Sequence, residues 1–236
     1  MKKMLYAVIM LLVSTSPQYV MSSSMTSEDV VWKSYQSQVL SHSREILGWC
    51  SEIKAKRMMD LIYRVQPELC VEIGVFGGSS IYPTASALKF LNHGEVIAID
   101  PWDVSHCLEG YKPGSPKHQF WSIKQERIES VYLGFIQMLK DFALDQYCRV
   151  MRMPSMDGVH NFDDESIDIL HIDGNHSEEI ALKDVQMYLP KVKKGGYIWF
   201  DDAHYPETHR AWKFLSLHCL KDEAFSTKEC FLFRKL

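Results

Sequence analysis

The chain has 236 residues, of which 46% are hydrophobic, 24% charged and 12% aromatic. That is enough for one full-sized domain plus an appendage, with a core that needs no metal or disulfide staple. Its 26 basic residues against 30 acidic ones, a net charge of -4, exclude the basic stripe of a dedicated nucleic-acid binder. No heptad run, collagen-like period or low-complexity tract is present in the sequence, which leaves a globular enzyme or binding domain.

Residues 1–24 open with Met1-Lys2-Lys3-Met4, continue through an apolar run from Leu5 to Val13, and turn polar at Ser14-Thr15-Ser16-Pro17. A basic, then apolar, then polar order has the shape of a secretory signal peptide. The run is too short for a transmembrane helix, which takes about 20 apolar residues. Export or membrane association is therefore expected, without a transmembrane span. Cytoplasmic residence is the alternative, if the segment is a plain extension or translation starts at Met25. The six cysteines, Cys50, Cys70, Cys107, Cys148, Cys219 and Cys230, form no Cys-x-x-Cys pair. They read mostly as small core hydrophobes.

Residues 25–66 form an N-terminal helical cap. From Ser27 to Gln66 the apolar residues Ile46, Trp49, Cys50, Ile53, Leu61, Ile62 and Val65 recur at spacings near three and four, and Pro67 stops the helix. Residues 67–236 then alternate between strands and helices. Strands are predicted at Leu69–Ile73, Glu95–Ile99, Cys148–Met153, Ile167–Ile172, Tyr197–Phe200 and Cys230–Arg234. Helices are predicted at Ser79–Phe90, Ser122–Phe142, Glu178–Leu189 and Thr208–His218. The stretch from Trp102 to Phe120, rich in Gly, Pro, His and aromatic residues, reads as a long loop and a candidate substrate lid. Strand–helix alternation of this kind predicts a doubly wound, Rossmann-like α/β domain with a mostly parallel sheet. In such sheets ligands bind beyond the carboxyl ends of the strands.

Val71-Glu72-Ile73-Gly74-Val75-Phe76-Gly77-Gly78-Ser79-Ser80 runs from a strand through glycines into a helix. Glycines let backbone approach a ligand closely, and a helix start offers unpaired N–H groups. Asp100 ends the second strand, where a carboxylate can accept both hydroxyls of a ribose. The dinucleotide fingerprint is broken because Phe76 stands at its second glycine, which counts against an NAD-linked oxidoreductase.

These residues, Glu72-x-Gly74-x-x-Gly77-Gly78-x-Ser80 with Asp100 on the next strand, resemble the nucleoside site of class I S-adenosylmethionine-dependent methyltransferases. The likeness runs from about Pro67 to Arg234 and is strongest to the small macrocin-type and catechol-type O-methyltransferases. It implies a seven-stranded sheet whose last strand is antiparallel. It also implies that Glu72, Gly74 and Gly77 hold the methionine end of S-adenosyl-L-methionine and Asp100 its ribose, with Gly78 and Ser80 also in the cofactor site. Ser155 and Met156, just after the third strand, match positions that flank the adenine.

Two acidic strand ends follow. Ile172-Asp173-Gly174-Asn175-His176 closes the fourth strand and Phe200-Asp201-Asp202-Ala203-His204 the fifth. On adjacent strands, Asp173, Asp201 and Asp202 would converge, and an all-oxygen cluster favours Mg²⁺ or Mn²⁺. In the similar O-methyltransferases a metal is held by acids at these positions. The alternative is that these acids cap the helices that follow. If the site is catalytic, Asp173, His176 and His204 are its candidates, either histidine taking a proton near neutral pH. The expected partner is a small-molecule or sugar acceptor; a homo-oligomer stays open. A catalytically inactive nucleoside-binding or regulatory protein on the same fold is the competing expectation.

Overall fold

A computed structural model describes residues 26–236, so the signal-like segment lies outside the described residues. Thr26 opens the first helix, α1 (Ser27–His42), with a reciprocal capping box to Asp29. A short 3₁₀ turn and an extended stretch separate it from α2 (Glu52–Val65), so the predicted single helix is two. Ser51 caps α2 by accepting the Lys54 N–H at 3.2 Å. The helix ends at Gln66, in the left-handed region with φ 51°, just before Pro67 as expected. Trp32 of α1 stacks on Tyr63 of α2 with ring centroids 4.4 Å apart, tying the two cap helices together.

The remaining elements follow in order: β1 (Leu69–Ile73), α3 (Ile81–Leu91), β2 (Glu95–Ile99), α4 (Val104–Leu108), α5 (Pro116–Ser122), α6 (Ile128–Asp141), β3 (Cys148–Met151), α7 (Ser155–Gly158), β4 (Ile167–Ile172), α8 (Glu178–Tyr188), β5 (Val192–Phe200), α9 (His209–Ser216), β6 (Cys219–Asp222) and β7 (Phe231–Lys235). They build one seven-stranded sheet in the order β3-β2-β1-β4-β5-β7-β6. β7 runs antiparallel to both its neighbours and the other pairings are parallel. The fold class expected from the sequence is the one observed.

Side-chain alternation along the strands divides the core in two. Cys70, Val96, Ala98, Ile169 and Trp199 pack beneath α2, α3 and α6, where Met58, Met59, Leu88 and Phe135 are buried. Val71, Ile97, Leu170, Ile198 and Phe233 pack on the opposite layer, beneath Val185 and Tyr188 of α8 and Leu215 of α9. Burial of each such side chain contributes about 2 kcal/mol. All six cysteines are free thiols, four of them fully buried, in keeping with the core reading.

The structure departs from expectation in four places. Trp102 is not part of an open loop: it is 2% exposed, donates its indole N–H to the Phe76 carbonyl at 2.8 Å and stacks on Phe135. The segment after it folds into α4 and α5. β5 begins at Val192, ahead of the predicted start at Tyr197, and carries Gly195, φ 77°, within the strand. β6 was not foreseen, and within the cap Ile53 faces solvent while Lys54 beside it is buried.

Candidate active site

Backbone hydrogen bonds place the strand ends in one row. The N–H of Gly74 donates to Ile99, that of Asp173 to Ile73, and that of Asp201 to Ile172, so each chain leaves its strand against the last residue of a neighbour. A cavity of about 700 Å³ opens above this row. Its walls come from the turn after β1, the ends of β2, β4 and β5, α4 and α5, and the start of α2.

Asp100 anchors the first wall. One carboxylate oxygen accepts the N–H groups of Val75 and Phe76, both at 2.9 Å, and the other accepts the Trp102 N–H at 2.7 Å. Burial raises its pKa, against the pull of these three bonds. Gly74, φ 82°, lies so close to β4 that a Cβ would stand 2.1 Å from the Asp173 carbonyl oxygen. Gly74, Ser80 and Asp100 line the cavity. Gly77 and Gly78 lie behind the turn instead, Gly77 against Leu47 and Gly78 against Phe135 and Met138. Glu72 is 1% exposed beneath the floor, where its carboxylate accepts the Ser80 hydroxyl at 2.5 Å.

Ser155 and Met156, at the start of α7, line the end of the cavity beyond Asp100. The Ser155 hydroxyl donates to Asp184 of α8 at 2.5 Å. Burial pushes the Asp184 carboxyl up to about 6, the Ser155 hydrogen bond opposing it. Asp184 was not singled out in the sequence, since one acid in an amphipathic helix carries no signal of burial.

At the other end the three predicted aspartates separate into two groups. Asp173 Oδ1 and Asp202 Oδ2 face the His176 ring nitrogen Nε2 at 3.6 and 3.1 Å. Asp173 Oδ2 and Asp201 Oδ2 face the opposite way, toward the ring of His171, at 3.9 and 3.6 Å, and toward the ammonium of Lys54, which pairs with both. Among the described residues, clusters fit to hold a metal are therefore Asp173–His176–Asp202 and His171–Asp173–Asp201. Asp173 is shared, and Asp201 and Asp202 fall on different sides. Burial works to strip the proton from Lys54, but the Asp173 charge overrides it and holds the ammonium above the usual lysine range. Burial likewise opposes the Asp173 charge, yet Lys54 and the His176 contact keep its carboxyl well below the usual range. Helix capping does not account for these acids: the N-cap positions of α8 and α9 are Ser177 and Thr208, and neither helix start has a side-chain capping hydrogen bond. His204 sits at the rim, its ring tilted against Tyr205 with centroids 4.1 Å apart and Nδ1 3.9 Å from Asp202. The aromatic rings of Trp49, Phe76, Phe120 and Trp121 gather at one edge of the opening.

A doubly wound sheet thus sets a glycine turn pinned by an acid across one cavity from an acidic pocket. The family model described as "Methyltransferase domain" matches residues 71–203, more than half of the chain, and the chain belongs to that family. An uncharacterized protein of Acanthamoeba polyphaga mimivirus is 31% identical over 132 residues, 56% of this chain and 50% of that protein. One from Sinorhizobium fredii is 22% identical over 150 residues, 63% of this chain and 14% of the other. The chain thus spans half or less of these curated relatives. Similar solved structures include the O-methyltransferase NovP, at 14% identity and TM-score 0.66 over 88% of this chain and 99% of that one. The O-methyltransferase TomG from Streptomyces achromogenes, solved with SAM, shares 15% identity and TM-score 0.55 over 90% and 96%. A methyltransferase from Podospora anserina, solved with SAH, shares 12% identity and TM-score 0.59 over 86% and 88%. Among the described residues no helix is long and apolar enough to cross a membrane.

Proposed function

We propose that the protein transfers the methyl group of S-adenosylmethionine to a hydroxyl of a small-molecule acceptor, with a divalent ion at the acidic end of the cavity. The observation that carries this reading is the single cavity joining the Asp100-pinned glycine turn to the Asp173–His176–Asp202 pocket. Gly74 and Ser80 border the place for the methionine end, Asp100 that for the ribose, and Ser155 with Asp184 that for the adenine. The resemblance to nucleoside-bound methyltransferases supports this placement.

The acidic pocket fits a divalent ion: His176 Nε2 is buried without a hydrogen-bond partner, and two carboxylate oxygens stand beside it. A donor set of imidazole plus carboxylates suits Mn²⁺ better than Mg²⁺, which prefers oxygen alone. When bound, such an ion would polarise the acceptor hydroxyl and lower its pKa. The protein's own part is orientation, holding the hydroxyl oxygen in line with the S–CH₃ bond. As the C–O bond forms and the C–S bond breaks, the hydroxyl proton passes to His204, the histidine at the rim of the cavity.

Thermal unfolding tests the reading. S-adenosylhomocysteine at about 100 times its dissociation constant should stabilise the fold by roughly 2.7 kcal/mol, NAD should not, and Mn²⁺ should add a second shift. A shift with NAD and none with the homocysteine nucleoside would overturn it.

A further inference from the structure

The α2 side of the acidic pocket holds a group that the proposed chemistry does not use. Lys54 is 6% exposed and its Nζ lies 3.4 Å from Asp173 Oδ2, with a direct contact to Asp201 Oδ2. Burying an ammonium is costly unless acids surround it, so this position is built for a cation. His171 completes the same face. It is 3% exposed, both its ring nitrogens lack a hydrogen-bond partner, and Nε2 points at the two aspartate oxygens that Lys54 engages. Behind it, Glu72 Oε2 lies 3.0 Å from His171 Nδ1. The two residues are register partners on β1 and β4. A carboxylate behind an imidazole that faces two further carboxylates is how proteins seat a metal ion. Here a side chain from α2 fills the seat.

Both Asp201 oxygens are engaged, Oδ2 by Lys54 and Oδ1 by the Asp202 N–H at 3.0 Å. Asp173 divides its oxygens, Oδ2 toward Lys54 and Oδ1 toward His176. Lys54 also lies outside residues 71–203, the part of the chain the family model matches, so the N-terminal cap contributes it.

We propose that Lys54 is the resident cation of the His171–Asp173–Asp201 face, holding those carboxylates as a divalent ion would and confining any free ion to the Asp173–His176–Asp202 face. The second half rests on the proposed metal-assisted function; the first half does not. Lys54 is thereby a positioning residue that sets both the charge and the ion stoichiometry of the pocket.

The test is Mn²⁺ binding by titration calorimetry and electron paramagnetic resonance on the full chain, with the S-adenosylhomocysteine thermal shift reporting an intact fold. Wild type should bind one Mn²⁺, and His176→Ala should lose it. Lys54→Met should gain a second ion, or bind at least about tenfold tighter as a buried positive charge is removed. That gain should survive His176→Ala and vanish in Lys54→Arg, which keeps a cation. Lys54→Gln takes the place of Lys54→Met if the latter does not fold. If wild type binds no Mn²⁺ and Lys54→Met binds one, the resident cation stands while the metal part of the proposed function falls. If Lys54→Met and Lys54→Gln titrate like wild type, the resident cation is overturned and the metal reading survives. Binding in no variant overturns both.

Discussion

Replacing Gly74 by Ala couples the two ends of the cavity in one measurement. A Cβ at this position would stand 2.1 Å from the Asp173 carbonyl oxygen, 2.5 Å from its carbon and 2.7 Å from Gly174 Cα, where ordinary contact begins at 3.4 Å. The obstacle is backbone, held by the Asp173 N–H to Ile73 hydrogen bond of 2.8 Å, so no rotamer change relieves it. Gly74 also has φ 82°, a conformation costing an L-residue about 1 kcal/mol. Displacing a hydrogen-bonded strand end by more than an ångström adds roughly 3 kcal/mol, so the loss should be about 4 kcal/mol. For a domain of this size that is a fall in Tm of about 10 °C. Gly114→Ala isolates the conformational part, because Gly114 has φ 80° and nothing within 4 Å of the added Cβ; it should cost only about 1 kcal/mol. Gly134→Ala, in the middle of α6 with open space around it, should instead stabilise by about 1 kcal/mol. Urea unfolding at constant m-value measures all three. If Gly74→Ala costs no more than Gly114→Ala, the turn is not pressed on β4 and the reasoning fails.

Three other outcomes are expected. Asp184 has a folded pKa of about 6 against an ordinary 3.8, so the folded state keeps a proton that the unfolded chain releases between those values. Its stabilisation is full below about pH 4 and lost as pH rises through 6, by about 3 kcal/mol in all. Asp184→Asn should flatten that slope in pH-dependent urea melts, and an unchanged slope would refute the assignment. Asp100→Asn removes an acceptor oxygen from a carboxylate that holds three amides, which should cost about 2 kcal/mol and weaken S-adenosylhomocysteine binding at least about tenfold by calorimetry. Unaltered affinity would separate Asp100 from the nucleoside. A chelator should abolish methyl transfer in an acceptor screen while leaving the thermal shift with S-adenosylhomocysteine in place; full turnover in chelator would exclude the ion.

Much of the architecture was legible in the chain. Leu69–Ile73, Glu95–Ile99 and Ile167–Ile172 begin and end where predicted, because strands buried on both faces are continuous apolar runs and because Gly74, Asp100-Pro101 and Asp173-Gly174 punctuate them. The same punctuation borders the cavity, where ligands of parallel sheets gather, at the carboxyl ends of the strands. Only the tertiary structure decided the rest. β6 escaped notice because it is short and lies at the sheet edge with Leu220 and Lys221 exposed, so packing alone does not demand an apolar run there. Trp102 reads as a lid residue by its neighbours, yet it is core because α6 approaches from elsewhere in the chain. Ile53 and Lys54 exchange the roles hydropathy assigns them. Lys54 is buried because β4 and β5, more than a hundred residues away, present the carboxylates that stabilise its charge. The division of Asp201 from Asp202 follows from the same contact. Local pattern sets which segments become strands and helices; the burial of a charge depends on partners that only the assembled sheet brings within reach.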